Sequence, residues 1–109
     1  MAKRRQTNLN PRSLALLRGE GYVVESVERW AGGVRHDLFG FIDMVACREN
    51  EVVFVQVTSR SNASSRRKKI LASENHPKVS ASGAKILLLT WHQPNGPRTK
   101  WAYKKEFVT

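Results

Sequence analysis

Residues 35–59 constrain this chain more than any other stretch. They read Arg-His-Asp-Leu-Phe-Gly-Phe-Ile-Asp-Met-Val-Ala-Cys-Arg-Glu-Asn-Glu-Val-Val-Phe-Val-Gln-Val-Thr-Ser. Two apolar runs, 41–47 and 52–58, flank a polar break at 48–51 that is short enough to close an antiparallel hairpin. Side chains alternate across a strand, so Asp43 shares a face with Phe41, Val45 and Cys47, and Gln56 shares one with Thr58. Val53, Val55 and Val57 take the opposite face. Asp37 and Asp43 are the only aspartates in the chain. A carboxylate among Phe, Ile, Met and Val is costly to bury without a partner, so Asp43 marks a candidate site. Cys47 is expected to be a small buried apolar residue.

The flanking segments supply the rest of a single domain over 9–109, preceded by a flexible basic arm at 1–8. Asn10-Pro11 reads as a helix start with Asn as N-cap, and Gly19 and Gly21 end that helix. The stretch 22–30 is β-branched and aromatic, hence a strand, followed by a flexible loop at 31–33. A basic helix is expected over 66–75, ending before the proline of His76-Pro77, with a loop over 78–83. If Ile70 and Leu71 point inward, Arg67 lies on the inward face and Lys69 nearly opposite. The run 84–91 is almost continuously apolar, the pattern of an interior strand covered on both faces. After the Pro94-Asn95-Gly96-Pro97 turn, 99–108 alternates as a last, half-exposed strand. Trp30, Trp91 and Trp101 are expected in the core; a base-stacking platform from Trp101 and Tyr103 is the alternative for the last of these.

Charge narrows the function. Nineteen Lys and Arg against nine Asp and Glu give a net charge of +10. Fourteen of the nineteen cluster at the N-terminus, at 60–69 and at the C-terminus. Such clustering fits a polyanionic partner, most often nucleic acid, better than a merely solvated surface. One cysteine allows no internal disulfide and no cysteine-based zinc cluster. No run is long and apolar enough to span a membrane, and no apolar segment follows the basic N-terminus as in a secretory signal, so a cytoplasmic setting is expected.

The order α-β-β-β-α-β-β, with Arg35-His36-Asp37, Ile42-Asp43-Met44-Val45-Ala46 and Val55-Gln56-Val57-Thr58-Ser59 at its centre, resembles the PD-(D/E)xK nuclease superfamily. Within it the chain is most similar to small archaeal-type Holliday-junction resolvases and related phage nucleases. The resemblance implies an α/β, restriction-endonuclease-like fold: a mixed central sheet flanked by helices, here with an extra C-terminal strand. It implies a weakly bound Mg²⁺ or Mn²⁺ as cofactor and branched or duplex DNA as partner. A homodimer follows by the same analogy, in a bacterial or phage-infected cell. Residues i and i+2 of a strand share a face, which lets both members of the triplet reach one metal. Asp43 matches the metal-binding Asp, Gln56 the acidic position and Thr58 the lysine. Gln still offers a carbonyl oxygen, although hard cations prefer charged oxygens. Arg67 is the candidate to replace the missing lysine charge, without being able to act as a base. The resolvases' first-helix Glu has no counterpart near Asn10, unless Glu20 or Glu25 takes its place; Asp37 is the candidate second carboxylate.

The resemblance thus assigns catalysis to Asp43, Gln56, Thr58 and Arg67, and metal binding to Asp43, Gln56 and Asp37. Lys3, Arg4, Arg5, Arg35, His36, Arg60, Arg66, Lys68 and Lys69 would grip DNA. Plainer readings stand beside these. Asp37 caps a turn near Gly40, Asp43 pairs with Arg67, or Gln56 and Thr58 simply end a strand. Two function classes therefore stay open: a metal-dependent, structure- or junction-directed DNA endonuclease, and a catalytically impaired nuclease-fold DNA-binding or adaptor module.

Overall fold

The apolar run near residue 88 sets the architecture. In the computed structural model, which describes residues 9–108, it forms β6 (Lys85–His92), with six consecutive buried residues. Such a strand needs cover on both faces, and helices provide it. The remaining elements are α1 (Asn10–Gly19), β1 (Val23–Ser26), β2 (Arg29–Ala31), β3 (Val34–His36), β4 (Met44–Arg48), β5 (Glu51–Ser59), α2 (Ala63–Ala72), α3 (His76–Ala81) and β7 (Ala102–Phe107). A 3₁₀ turn at Arg60–Asn62 leads into α2.

Five strands form one mixed sheet in the order β1-β4-β5-β6-β7. The β4–β5 hairpin is antiparallel, with Met44 opposite Val55 and Ala46 opposite Val53. β5 and β6 run parallel, joined through α2 and α3, and β7 closes the edge antiparallel to β6. One face packs Leu17 of α1 against Val24, Met44, Ala46, Val53, Val55, Leu87 and Leu89. The other packs Ile70 of α2 and Val79 of α3 against Phe41, Ile42, Ile86 and Leu88. Each of these side chains other than Ala46 contributes roughly 1.5–3 kcal/mol on burial. This is the expected α/β fold with a mixed sheet between helices. Among the described residues, no helix is long and apolar enough to cross a membrane.

Several local expectations are corrected. Leu9, not Asn10, is the N-cap, and Asn10 is the first helical residue. The 22–30 strand breaks at Val27-Glu28, and residues 29–36 form a separate hairpin closed by Gly32 and Gly33, both at positive φ. Two consecutive residues at positive φ make the tight turn that glycine permits, so 31–33 is a turn, not a loose loop. The basic helix runs Ala63–Ala72, and 78–83 is largely helical because Pro77 sits in the first turn of α3, where its missing N–H costs nothing. Cys47 is exposed, since it pairs with the half-exposed Val52 near the hairpin tip. Of the tryptophans, Trp91 is buried and donates to the Ser13 hydroxyl at 2.8 Å, whereas Trp30 is 71% exposed. The arm at 1–8 lies outside the described residues.

Candidate active site

Asp43 immediately precedes β4, and Gln56 and Thr58 lie in the last half of β5, so the antiparallel hairpin brings all three to one end of the sheet. All three are buried, Asp43 at 3% and Gln56 at 1% exposure. The Val57 amide donates to Asp43 Oδ2 at 2.7 Å and the Gln56 side-chain amide donates to the same oxygen at 2.8 Å. These two bonds fix the carboxylate and turn Oδ1 and the Gln56 carbonyl oxygen elsewhere.

Two further acids converge there. Glu28, at the break between β1 and β2, and Asp37, just after β3, each bring a carboxylate oxygen into a group with Asp43 whose atoms lie within 4.8 Å of one another. Burial pushes the Asp43 carboxyl up to about 7; the Val57 amide pulls it down, Asp37 and Glu28 raise it further, and Arg35 lowers it. Four buried oxygens, Glu28 Oε2, Asp37 Oδ1, Asp43 Oδ1 and Gln56 Oε1, have no hydrogen-bond partner among the described residues. Buried acceptors left without donors are rare in folded proteins, and a bound water or cation would satisfy them. Carboxylate and amide oxygens are the donor set that Mg²⁺ or Mn²⁺ takes, so the residues present fit a divalent cation.

The cations around this cluster differ from expectation. Arg67 turns away, making a two-point ion pair with Glu106 on β7 at 2.6 and 2.7 Å. The side chain of α2 that reaches the acids is Lys69, whose Nζ lies 3.2 Å from Asp37 Oδ2. The reason is Leu71, which is exposed. Removing it from the inward stripe rotates the helical wheel by about 50°, moving Arg66 and Lys69 towards the acids and Arg67 towards β7. Arg35 lies between two carboxylates, 3.6 Å from Glu28 Oε2 and 3.7 Å from Asp37 Oδ1. A cleft of about 600 Å³ opens over the cluster, lined by Glu28, Arg35, Asp43, Thr58, Arg66 and two tryptophans among others.

Other assignments separate. The Asp37 carbonyl, not its carboxylate, closes the Gly40 turn, accepting from the Gly40 amide at 3.0 Å. His36 ends β3 and is exposed; Arg60 and Lys68 are exposed near α2. Lys3, Arg4 and Arg5 lie outside the described residues. Glu20 pairs with Lys105, and Glu25 lies exposed on β1. Sequence reasoning missed Glu28. Its signal is the start of α1: the Asn10 side-chain amide donates to Glu28 Oε1 at 3.1 Å, so the helix supplies a holder for the acid instead of the acid.

No protein-family model matches the sequence, and no curated protein does. Among solved structures, the chain is similar to Hjc, a Holliday junction resolvase from the archaeal hyperthermophile Archaeoglobus fulgidus, with 17% identity and a TM-score of 0.53. The match covers 88% of this chain and 73% of that one. At this identity the likeness is one of fold: an α/β arrangement with a mixed sheet between helices.

Proposed function

We propose that this protein is a divalent-metal-dependent DNA endonuclease of the PD-(D/E)xK type, directed to branched or otherwise structured DNA. The observation that carries the reading is the set of four buried oxygens at one end of the sheet that accept no hydrogen bond among the described residues, two of them facing only the Arg35 guanidinium at 3.6–3.7 Å. Asp43, Gln56, Glu28 and Asp37 would hold the metal. A divalent cation bound there would polarise the scissile phosphate and acidify a bound water.

The chain's own groups do the positioning. The Val57 amide and Gln56 keep Asp43 in one orientation, and Asn10 does the same for Glu28. Lys69 on Asp37 supplies the positive charge that Thr58 cannot, and an ammonium, unlike a guanidinium, can also give up a proton. Arg35 and Arg66, on the walls of the cleft, bind phosphate. Arg60, Lys68, His36 and the basic residues at 3–5 would extend the grip. Such contacts are sequence-independent and salt-sensitive. A homodimer would widen the DNA surface covered.

Labelled four-way-junction, flap, single-stranded and linear duplex DNA, each with Mg²⁺, Mn²⁺ or EDTA, test the reading. Metal-dependent cutting by the wild type that disappears in Asp43→Ala supports it. The second reading, a DNA-binding module that has lost catalysis, is favoured by one observation: Arg35 already stands between Glu28 and Asp37. Salt-sensitive binding without cutting, and without Mn²⁺ uptake in a calorimeter, would establish that reading instead.

A further inference from the structure

The hairpin of β2 and β3 belongs to no other sheet: its strands pair only with each other, and all six of their residues are exposed. It nevertheless carries Trp30, the most exposed aromatic side chain among the described residues. Trp30 stands directly across from Arg35 in the ladder, and opposed residues of an antiparallel pair project from the same face. Arg35 reaches back to Glu28 and Asp37, and both Trp30 and Arg35 line the cleft over the acids. The indole is therefore held at the mouth of the candidate site, on the side where the acids lie.

Trp101, on the same cleft, makes a useful contrast. It is half-buried, and the Arg12 guanidinium covers its ring at 5.3 Å. No ring or guanidinium among the described residues covers Trp30. A large apolar surface exposed on a polar, cation-lined cleft is suited to the face of a nucleobase, where stacking and phosphate contacts act together.

We propose that Trp30 is a stacking wedge: it takes the base face left without a stacking neighbour at a branch point and so makes the site prefer branched over continuous duplex DNA. This rests on the nuclease reading for its substrate. The physical logic is one of differential cost. Every base in continuous duplex is already stacked on both faces, and exposing one takes a few kcal/mol. At the centre of an open junction that cost is largely absent, so the indole finds a partner there. Arg35 and Arg66 grip backbone common to all these substrates and discriminate little. The hairpin, closed by a tight two-glycine turn, carries the discrimination.

The experiment measures binding of full-length protein to a dye-labelled four-way junction and to a linear duplex of equal length, in EDTA, by anisotropy, with the same excess of short unlabelled blunt duplex in both to occupy any binding at helix ends. A second junction carries 2-aminopurine at the branch to report stacking. Trp30→Ala should weaken junction binding about tenfold more than duplex binding and abolish the 2-aminopurine change; Trp30→Phe should restore most of both. Equal losses on the two DNAs, or no loss on either, overturn the wedge. Unchanged thermal melting in Trp30→Ala, expected because the side chain is exposed, guards against a folding effect. A parallel cleavage assay in Mn²⁺ separates the two readings. Wild-type protein that prefers junctions through Trp30 without cutting upholds the wedge and overturns the nuclease. Wild-type protein that cuts while Trp30→Ala shows no selective loss does the reverse, and wild-type protein that binds neither DNA overturns both.

Discussion

The two ends of the β4–β5 hairpin each carry acidic side chains, Glu51 at the turn and three at the far end, and they are opposites. At the turn end, Glu51 Oε1 accepts from Tyr22 at 2.6 Å and Arg48 at 2.7 Å, while Oε2 accepts from Lys85 at 2.6 Å. Lys85 first, then Tyr22 and Arg48, hold its carboxyl down to about 2, and burial together with Glu51 pushes Tyr22 up to about 12. At the far end, Asp43 shares its neighbourhood with two like charges, and each of the three carboxylates keeps a buried oxygen without a donor. One strand pair thus bears an acid whose partners are complete and an acid cluster whose partners are not. The first is what a fold needs to close a hairpin and tie down the start of β6. The second works against the fold, and is explained if a cation completes it.

The widest separation between the two ends should appear with metal. Asp43→Ala should reduce Mn²⁺-dependent cleavage by more than about a hundredfold, beyond the loss typical of outer-shell partners. Glu51→Gln should leave turnover near wild type. With Mn²⁺ about a hundredfold above its Kd, the wild type and Glu51→Gln should each gain about 2.7 kcal/mol in stability, and Asp43→Ala none. Calorimetric melts with and without the metal measure this; an equal gain in all three would place the cation somewhere other than Asp43.

Without metal the signs should invert. Asp43→Asn keeps an oxygen to accept from Val57 and Gln56 and removes a buried charge, so at pH 8 in EDTA it should stabilise the protein by about 2 kcal/mol. Glu51→Gln should lower the melting temperature, because its three donors lose a charged acceptor. Urea titration of both variants checks this; destabilisation by Asp43→Asn would mean that the charge is compensated where it sits.

The pH dependence follows from the same shifts. Glu51, depressed to about 2, contributes stability that is present above its usual value near 4.5 and lost as pH falls towards 2. Asp43 is raised from 3.8 to about 7, so between those values the native state binds the extra proton. Its contribution therefore makes metal-free protein less stable as pH climbs from about 4 to about 7. Melting temperature against pH in EDTA should lose that slope in Asp43→Asn; an identical slope in both would assign it to other groups.

What could be read from the sequence follows the same division. The hairpin and the interior strand at β6 were legible, because alternation and a continuous apolar run are strong local signals; the placement of Asp43 beside Gln56 came from the resemblance to the nuclease superfamily. The cations and the third acid were not. Glu28 joins the site only because the chain breaks at Val27-Glu28 and turns at Gly32-Gly33, a long-range outcome that β-branched composition hides. Lys69 was hidden by Leu71, an apolar side chain left in solvent on α2, which tilted the expected face. Trp30 was assigned to the core for the same reason: an aromatic residue is read as buried unless something marks it, and the hairpin's detachment from the sheet leaves no local mark.

The smallest expected effect probes how near the far end is to being complete. Arg35 lies 3.6–3.7 Å from two carboxylates, too far for hydrogen bonds, and its side chain is 42% exposed. Exposed pairs of this kind contribute about 0–1 kcal/mol each, so Arg35 partly neutralises the cluster without satisfying it. A divalent cation entering there meets that positive charge, whereas a phosphate entering the cleft is attracted by it. Arg35→Gln should therefore act in opposite directions on the two ligands. Mn²⁺ binding, measured by calorimetry, should tighten by roughly three- to fivefold, the scale of one such pair. DNA binding should weaken, and the slope of its affinity against salt should fall by about one. Arg48→Gln, at the Glu51 end, should change neither the metal affinity nor that slope. If Arg35→Gln weakens both ligands together, the guanidinium holds Glu28 and Asp37 in place as Asn10 and Lys69 do, and the far end is better partnered than its unpaired oxygens imply.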